Sequence, residues 1–323
     1  MTEVYLWETK TTSESITMGS SFWKRTTLDP QLSLYLPALR TMGHNPRGCI
    51  YDVLRKPAQK VSKKGETPES YGQRCLDAIA EDPARYYARG LVVRLEADEK
   101  EAAADVWQTA SQMRESKRLQ IYPRNPDSCY EWSRDCDYLG VCSGTMDIND
   151  PLFFTQEAAN VELDGADDLS LLSQSAMRTY RKCQRRYFYR YVMRQRTLKK
   201  SDALSTGASI HKALDVFRST GGDLEAAVKA LVTEDLFARA KEQAMLTGYA
   251  ARWGKPTGVI AVEKMFQIPL KNPETGGVSK TFTLGGQVDA IVSAEAAADL
   301  MNPVPPMSLE EQLRLSVEAN EDE

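Results

Sequence analysis

A pair of charged residues, Glu8 and Lys10, closes an apolar run near the start of the chain, Val4–Trp7. If the run is a β-strand, the alternation of side chains puts Glu8 and Lys10 together on one face. Charged groups at the end of an apolar strand are costly to bury without partners. The pair is either a surface ion pair, contributing only ~0–1 kcal/mol, or a catalytic pair. In the second case Glu8 holds a divalent cation, and Lys10 steadies a nucleophilic water or a phosphate oxygen.

The catalytic interpretation needs a second carboxylate, and Asp289 is the best candidate. It lies in a β-rich run, Lys280–Val292, where an acid among apolar neighbours is costly to bury unless a cation or hydrogen-bond donors meet it. Gly285 and Gly286, shortly before it, suit a bulge or a close backbone approach. The alternative is an Asp at a strand end that caps a turn.

Two helices would have to bring further side chains to such a site. His211 opens an amphipathic segment, and because a lone helical histidine is usually structural, its role depends on meeting the two acids in space. Asp29 and Pro30 together predict the start of another helix, as N-cap and first helical residue. Gln31 and Tyr35 lie one turn apart on that helix and share a face, although Tyr35 could equally be a core residue.

Together these residues resemble the PD-(D/E)XK nuclease superfamily, and within it the RecB-type branch with its iron–sulfur nucleases of the CRISPR-associated and AddB-like kinds. The resemblance implies an α/β fold with a restriction-endonuclease-like core, in which helices flank a central mixed β-sheet. It implies that Mg²⁺ or Mn²⁺ binds at the site and that the helix of Gln31 and Tyr35 lines its nucleic-acid side. The corresponding positions are His211, Asp289, Glu8, Lys10, Gln31 and Tyr35.

The order of these motifs departs from that of the family. This chain begins at the Glu-x-Lys strand and finishes with the Asp strand, so it resembles a circular permutation that would leave Asp289 and Glu8 on adjacent strands. The resemblance divides the chain into four parts. Residues 1–145 hold the second half of the core with a Cys-rich segment, 146–170 an acidic connector, 171–294 the first half with a basic helix, and 295–323 an acidic tail.

A basic, aromatic stretch runs from Arg178 to Lys200, with ten Lys or Arg and no acid. Such a composition suits phosphate neutralisation and base stacking on single strands. The alternative is an amphipathic helix with aromatic residues in the core and solvated arginines. The residues predicted to contact nucleic acid are Arg181, Arg185, Arg186 and Tyr187.

Cysteines form the remaining informative pattern. Cys129, Cys136 and Cys142 lie close together in a loop-rich segment, one thiolate short of a tetrahedral set. Cys183 is the natural fourth ligand, and several RecB-type nucleases resemble this arrangement around a [4Fe–4S] cluster. Zinc and free structural thiols remain the alternatives, because the spacing lacks Cys-x-x-Cys.

Composition adds limits of a general kind. The chain of 323 residues is 42% hydrophobic, 27% charged and has a net charge of −4, so it is not a basic nucleic-acid binder by composition. No apolar run reaches the ~20 residues of a membrane span, and no secretory signal is evident, so we expect a cytoplasmic protein without a membrane partner. Six cysteines then favour thiols or metal ligands over disulfides.

The function expected from the resemblance is a Mg²⁺- or Mn²⁺-dependent deoxyribonuclease of exonuclease type. It would act on DNA ends or single strands in repair, recombination or phage DNA processing, with a helicase or recombination protein as a partner. Two other classes stay open: a non-catalytic nucleic-acid-binding scaffold with a metal-stapled nuclease fold, and a zinc-stabilised structural protein.

Overall fold

The computed structural model of the chain describes residues 2–62, 65–131, 134–161, 163, 168, 170–198 and 202–302. Its strands are β1 (Glu3–Thr12), β2 (Asn45–Arg55), β3 (Tyr87–Val92), β4 (Tyr130–Glu131), β5 (Arg134–Asp135), β6 (Phe154–Gln156), β7 (Leu171–Leu172), β8 (Gln195–Thr197), β9 (Val259–Lys271) and β10 (Val278–Ser293). Its α-helices are α1 (Ser21–Thr26), α2 (Pro30–Thr41), α3 (Pro68–Glu81), α4 (Glu96–Leu119), α5 (Leu139–Ser143), α6 (Gln174–Lys182), α7 (Gln184–Tyr187), α8 (Asp202–Ser219), α9 (Leu224–Lys229), α10 (Leu236–Trp253) and α11 (Ala294–Met301).

The main sheet has six strands in the described part of the chain, in the order β3-β2-β1-β10-β7, with β9 also paired to β10. β1 runs parallel to β2 and antiparallel to β10, so the sheet is mixed. β9 follows one edge of β10 along most of its length. The other edge of β10 is shared, because β7 pairs at Thr283 and Leu284 while β1 pairs from Ala290 to Ser293.

Helices flank both faces of this sheet, which confirms the α/β class with a mixed sheet. Leu6 belongs to the buried cluster that contains Leu32 of α2 and Met177 of α6. The next residue of the strand, Trp7, belongs to a different cluster, with Ala297 of α11. Alternation along β1 therefore serves two cores, one on each face.

The predicted adjacency of the Glu8 and Asp289 strands is confirmed by the antiparallel pairing of β1 with β10. Regular pairing of the two strands runs only as far as Trp7 opposite Ala290. Between this point and β7, the edge of β10 that carries Gly285, Gly286 and Asp289 lines a cavity. A side chain at Gly286 would meet the Phe266 ring at 2.5 Å, so glycine is needed for this close approach.

The first residues of the predicted acidic tail, 295–301, belong to a helix. α11 covers Ala294–Met301, and its Leu300 is only 4% exposed against the sheet. Residues 303–323 of the predicted tail lie outside the described residues. Among the described helices, none combines the length and apolar character needed to cross a membrane.

Candidate active site

Glu8, Lys10 and Gln31 form a closed triangle of hydrogen bonds at the floor of the cavity. The Lys10 ammonium donates to Glu8 Oε1 at 2.8 Å and to Gln31 Oε1 at 2.7 Å. The Gln31 amide donates to the same Glu8 oxygen at 2.7 Å. The other carboxylate oxygen, Glu8 Oε2, is buried and has no hydrogen-bond partner among the described residues. A buried acceptor left open in this way is costly unless a donor or cation meets it.

Asp289 is fixed by the backbone of the neighbouring strand. Where β1 and β10 diverge, the Thr9 N–H donates to Asp289 Oδ2 at 2.7 Å, in place of a ladder bond between the strands. His211 of α8 places its Nδ1 3.5 Å from the same oxygen. The structure thus brings together His211, Asp289 and Glu8, which the sequence analysis had placed in three separate elements.

The ionisation of these groups reflects burial and crowding of charge. Burial, and then the nearby charge of Asp289, raise the pKa of Glu8 to about 8. Burial alone would lower the pKa of Lys10, but the Glu8 carboxylate outweighs it and raises the pKa, so the ammonium stays charged. Burial lowers the pKa of His211, which favours the neutral imidazole that can bind a metal.

The back face of β1 holds a buried charge cluster that sequence reasoning missed. Asp52 accepts from Trp7 Nε1 at 2.9 Å and from Arg89 Nε at 3.1 Å, and it also accepts from the Tyr249 hydroxyl. Arg218 lies 3.5 Å from Asp52. Burial opposes the charge of Asp52, but the two guanidiniums outweigh burial and lower its pKa. Asp52 therefore stays ionised inside the protein.

Arg218 links this cluster to the cavity side of the sheet. Its guanidinium donates to the Thr9 hydroxyl and stacks over the Trp7 ring, with the centroid 4.4 Å away. The Thr9 N–H in turn holds Asp289. Arg218 follows His211 at a spacing of seven residues on α8, and that helical spacing could have shown that the two side chains share a face.

A second acidic pair, also missed, adjoins Asp289. Asp215 of α8 shares a hydrogen bond with Glu263 of β9, and both line the cavity. Burial, and then the charge of Glu263, raise the pKa of Asp215 to about 8. Glu263 also accepts from the Gln287 amide and has a left-handed backbone, with φ of 51°. The i, i+4 spacing of His211 and Asp215 was the available sequence signal.

Without a bound cation, we expect the stability of the protein to fall as pH rises from 4.5 towards 8. The ordinary pKa of a glutamate is 4.5, and that of buried Glu8 is about 8. The native state therefore binds more protons than the unfolded state in this interval, so the free energy of unfolding decreases with pH. Urea denaturation at several pH values in chelator will measure it. Glu8→Gln should flatten part of the slope, and an unchanged slope would contradict the assignment.

Tyr35 and Gln31 both line the cavity, as their shared helical face predicted. Tyr35 is also a core residue: it is 7% exposed, and its ring meets Phe266 edge to face at 5.3 Å between centroids. Burial raises the pKa of its hydroxyl far above the usual range, so the group stays neutral. The cavity has a volume of about 950 Å³.

The basic stretch divides between the cavity and the core. The structure contradicts the predicted contact of Tyr187, whereas those of Arg181, Arg185 and Arg186 stay predictions. Tyr187 is 6% exposed and stacks on Tyr191 inside the core, so its ring cannot receive a base. Arg185 donates to the Tyr122 carbonyl at 2.9 Å, and Arg186 lies 3.5 Å from Asp137. Only Arg181 of the four lines the cavity. The amphipathic alternative describes this stretch better, because its aromatic rings fill the core.

The four predicted cluster cysteines are free and partly exposed. The Cys136 N–H donates to the Cys129 carbonyl at 2.7 Å. Burial raises the pKa of the Cys142 thiol, and the nearby Cys183 and Cys129 raise it further. The Cys142 thiol therefore lies near those of Cys183 and Cys129. Still, within the described ranges no group of three or more His, Cys, Asp or Glu side chains is arranged to hold a metal ion.

Comparison with known proteins gave a match to part of the chain. The family model of the PD-(D/E)XK nuclease superfamily matches residues 171–300, and the six-stranded mixed sheet flanked by helices is consistent with a restriction-endonuclease-like fold. The matched stretch contains His211 and Asp289, whereas Glu8 and Lys10 reach the site from β1. No curated protein and no solved structure matched the chain.

Proposed function

We propose that this protein is a metal-dependent nuclease that hydrolyses phosphodiester bonds in DNA. The observation that carries the proposal is the meeting of Asp289 and Glu8 beside Lys10, across the divergence of β1 and β10. The superfamily match to residues 171–300 supports it independently, because proteins of that superfamily generally act as nucleases and usually use Mg²⁺ or Mn²⁺. Hydrolysis adds water across one P–O ester bond, leaving a phosphomonoester and a hydroxyl.

The donor atoms have the chemistry that a hard divalent cation requires, although within the described residues they are not already arranged as a group of three metal ligands. Oxygen ligands suit Mg²⁺ and Mn²⁺, and Glu8 Oε2 is buried without a hydrogen-bond partner among the described residues, so it is free to bind a cation. Glu8, Asp289 and His211 would hold the ion. When bound, such an ion stabilises charge developing on the phosphate and lowers the pKa of a water molecule.

The protein's own groups supply the rest of the chemistry. The Lys10 ammonium, oriented by Gln31, would position the attacking water or neutralise the phosphate oxygens. The Thr9 N–H fixes the rotamer of Asp289, so that the carboxylate is oriented before substrate arrives. Gln31 and Tyr35, on one wall, would place the strand.

Cleavage of end-labelled single- and double-stranded DNA tests the proposal. Wild-type protein should cleave with Mg²⁺ or Mn²⁺ and should be inactive in chelator. Lys10→Ala should lower the rate by about 10²- to 10³-fold, the usual effect of removing one group that stabilises transition-state charge. Lys24→Ala, in α1 and outside the cavity lining, is the matched control. Absence of cleavage by folded, metal-loaded wild type would favour the non-catalytic scaffold.

We propose further that the protein resembles the RecB-type branch in a circularly permuted order, acts as an exonuclease on DNA ends or single strands, and serves repair, recombination or phage DNA processing. The pairing of the first strand with the last strand of the sheet supports the permuted order. Product lengths from the same assay distinguish the modes: mononucleotides or short products that accumulate from one end indicate an exonuclease.

We also propose that Cys129, Cys136, Cys142 and Cys183 bind a [4Fe–4S] cluster. Four thiolates on one cluster bind different irons, so they need not be as close as the ligands of a single ion. Arg185 and Arg186 lie near the thiols and would offset part of a cluster's negative charge, although burial outweighs them and raises the pKa of Cys142 and of Cys136. The cluster would link the segment of β4 and β5, which Cys129 and Cys136 flank, to Cys183 at the start of α7.

Anaerobically purified protein should be brown and contain iron and acid-labile sulfide. Cys183→Ser should lose most of both, because a thiolate ligand is missing. Cys75→Ser, at a fully buried thiol of another core, should retain them. Stoichiometric zinc without iron, or no metal in the wild type, would contradict the cluster.

A further inference from the structure

The cavity above the two catalytic carboxylates has two walls of different chemistry. One wall is α6, where Arg178 and Arg181 lie three residues apart and both line the cavity. Arg178 is exposed, and the described residues give it no hydrogen-bond or ion-pair partner. Arg181 is anchored through Nε, which donates to the Thr109 hydroxyl at 2.9 Å. Two guanidiniums one helical turn apart make a row about 5 Å long.

The second wall is formed by α1 and the turn that leads to α2, where two apolar side chains line the cavity beside Arg25 and Asp29. Leu28, at the tip of this turn, is 82% exposed and lines the cavity together with Phe22. Single exposed leucines are common on protein surfaces. This one lines the same cavity as Glu8, Asp289 and the two arginines of α6.

Arg94 holds the turn that carries Leu28 in a fixed position. Its guanidinium donates to the Thr27 carbonyl at 2.6 Å, to the Asp29 carbonyl at 2.9 Å and to the Ser33 hydroxyl at 3.1 Å. A further bond joins the Leu28 N–H to the Arg25 carbonyl at 3.1 Å. The backbone at Leu28 is therefore held in place before a ligand binds, and such preorganisation reduces the entropy lost on binding.

We infer that Leu28 and Phe22 form a nucleobase subsite, that Arg178 and Arg181 bind the phosphates of the same strand, and that the cavity takes a single DNA strand. The inference rests on the proposed nuclease function and names its substrate class. A base in a duplex is stacked and paired, so a base that reaches Leu28 has left the duplex. The arginine wall would face the charged backbone of a single strand, and the wall with Leu28 and Phe22 would face its bases.

Fluorescence anisotropy of labelled single-stranded and duplex DNA tests the inference, with Mg²⁺ and in a Lys10→Ala background, in which cleavage is slow enough for binding to be measured first. Arg178→Gln with Arg181→Gln should make the dependence of log affinity on log salt shallower by about 1.4, since each lost phosphate contact on a single strand removes about 0.7. The control pair, Arg114→Gln with Arg118→Gln on α4, lies outside the cavity lining and should leave the slope unchanged.

Leu28→Ala should weaken single-strand binding by about tenfold without changing the salt slope, because it removes apolar contact and no charge. Leu152→Ala, at another leucine that is 78% exposed but outside the cavity lining, is the control. Equal affinity for single strands and duplex, or a Leu28→Ala protein that binds like the control, would overturn the inference.

The two proposals can fail separately. Wild-type protein that cleaves DNA, with equal salt slopes in the α6 variants and the α4 controls, would retain the nuclease and remove the subsite. Binding with the expected slopes and Leu28 dependence, in a wild type that cleaves nothing, would support the subsite in a protein that is not a nuclease.

Discussion

Asp289→Asn should remove divalent-metal binding and DNA cleavage together, with the cleavage rate falling by about a thousandfold or more. The asparagine keeps an oxygen that can accept from the Thr9 N–H, so the divergence of β1 and β10 should persist. What it loses is the negative charge that a cation needs beside Glu8. The expected defect is therefore one of charge and not of folding.

Stability gives this prediction a second readout. The charge of Asp289 is among the causes that raise the pKa of Glu8, so the two carboxylates repel each other when no cation is bound. The metal-free Asp289→Asn protein should be at least as stable as the wild type. It should also gain much less thermal stability from added Mn²⁺, because ligand binding to the native state is what provides that gain.

Calorimetric titration with Mn²⁺, thermal unfolding with and without the ion, and the cleavage assay together measure the effect. Asp299→Asn, at an exposed aspartate of α11, makes the same chemical change away from the cavity. An Asp289→Asn protein that binds Mn²⁺ like this control would exclude Asp289 as a ligand.

Asp52→Asn should lower the free energy of unfolding by about 3–5 kcal/mol, the usual cost of breaking a buried ion pair from one side. Asp52 is fully buried and is the carboxylate that faces both Arg89 and Arg218. Its neutral replacement would leave two buried guanidiniums without the opposing charge. Nε and Nη1 of Arg218 already lack hydrogen-bond partners in the described structure. Few other contacts would therefore stabilise its charge once the Asp52 carboxylate is gone.

Urea denaturation at neutral pH measures this loss. Asp77→Asn, at an exposed position of α3, should change stability by no more than about 0.5 kcal/mol. A loss of less than about 1 kcal/mol for Asp52→Asn would contradict this prediction. It would mean that water or rearranged side chains solvate the two guanidiniums, as at an exposed ion pair. Because Arg218 also holds Thr9, folded Asp52→Asn protein should cleave DNA more slowly, and addition of Mn²⁺ should not restore the rate.

Much of the candidate site could be predicted from the sequence because its signals are local. Each signal lies within one strand or helix. Two charges end an apolar strand and an acid lies among branched residues, which are exceptions to the apolar pattern, and a Gln and a Tyr one turn apart share a helical face. These signals identified Glu8, Lys10, Asp289, Gln31 and Tyr35, all of which line the cavity. The α/β class was what the resemblance to the PD-(D/E)XK superfamily implied.

The charge cluster behind β1 could not be predicted in this way. Asp52, Arg89 and Arg218 lie on three different elements, and each alone looks like an ordinary surface residue in sequence. The face of a helix that meets the sheet is decided by packing of the whole core, which also put Tyr187 inside and left Arg181 at the cavity. Composition showed that the stretch is basic but not which of its side chains face the cavity.

Sequence by itself determined which residues could do metal-assisted chemistry and the secondary structure that presents them. Only the tertiary structure decided how they meet, because Thr9 and Asp289 are 280 positions apart and their hydrogen bond exists only where two strands diverge in one sheet. Local periodicity fixes the side of an element on which a side chain lies. The partner across the sheet is set by long-range strand pairing. Its energy is shared among many contacts, so no single residue in the sequence identifies the partner strand.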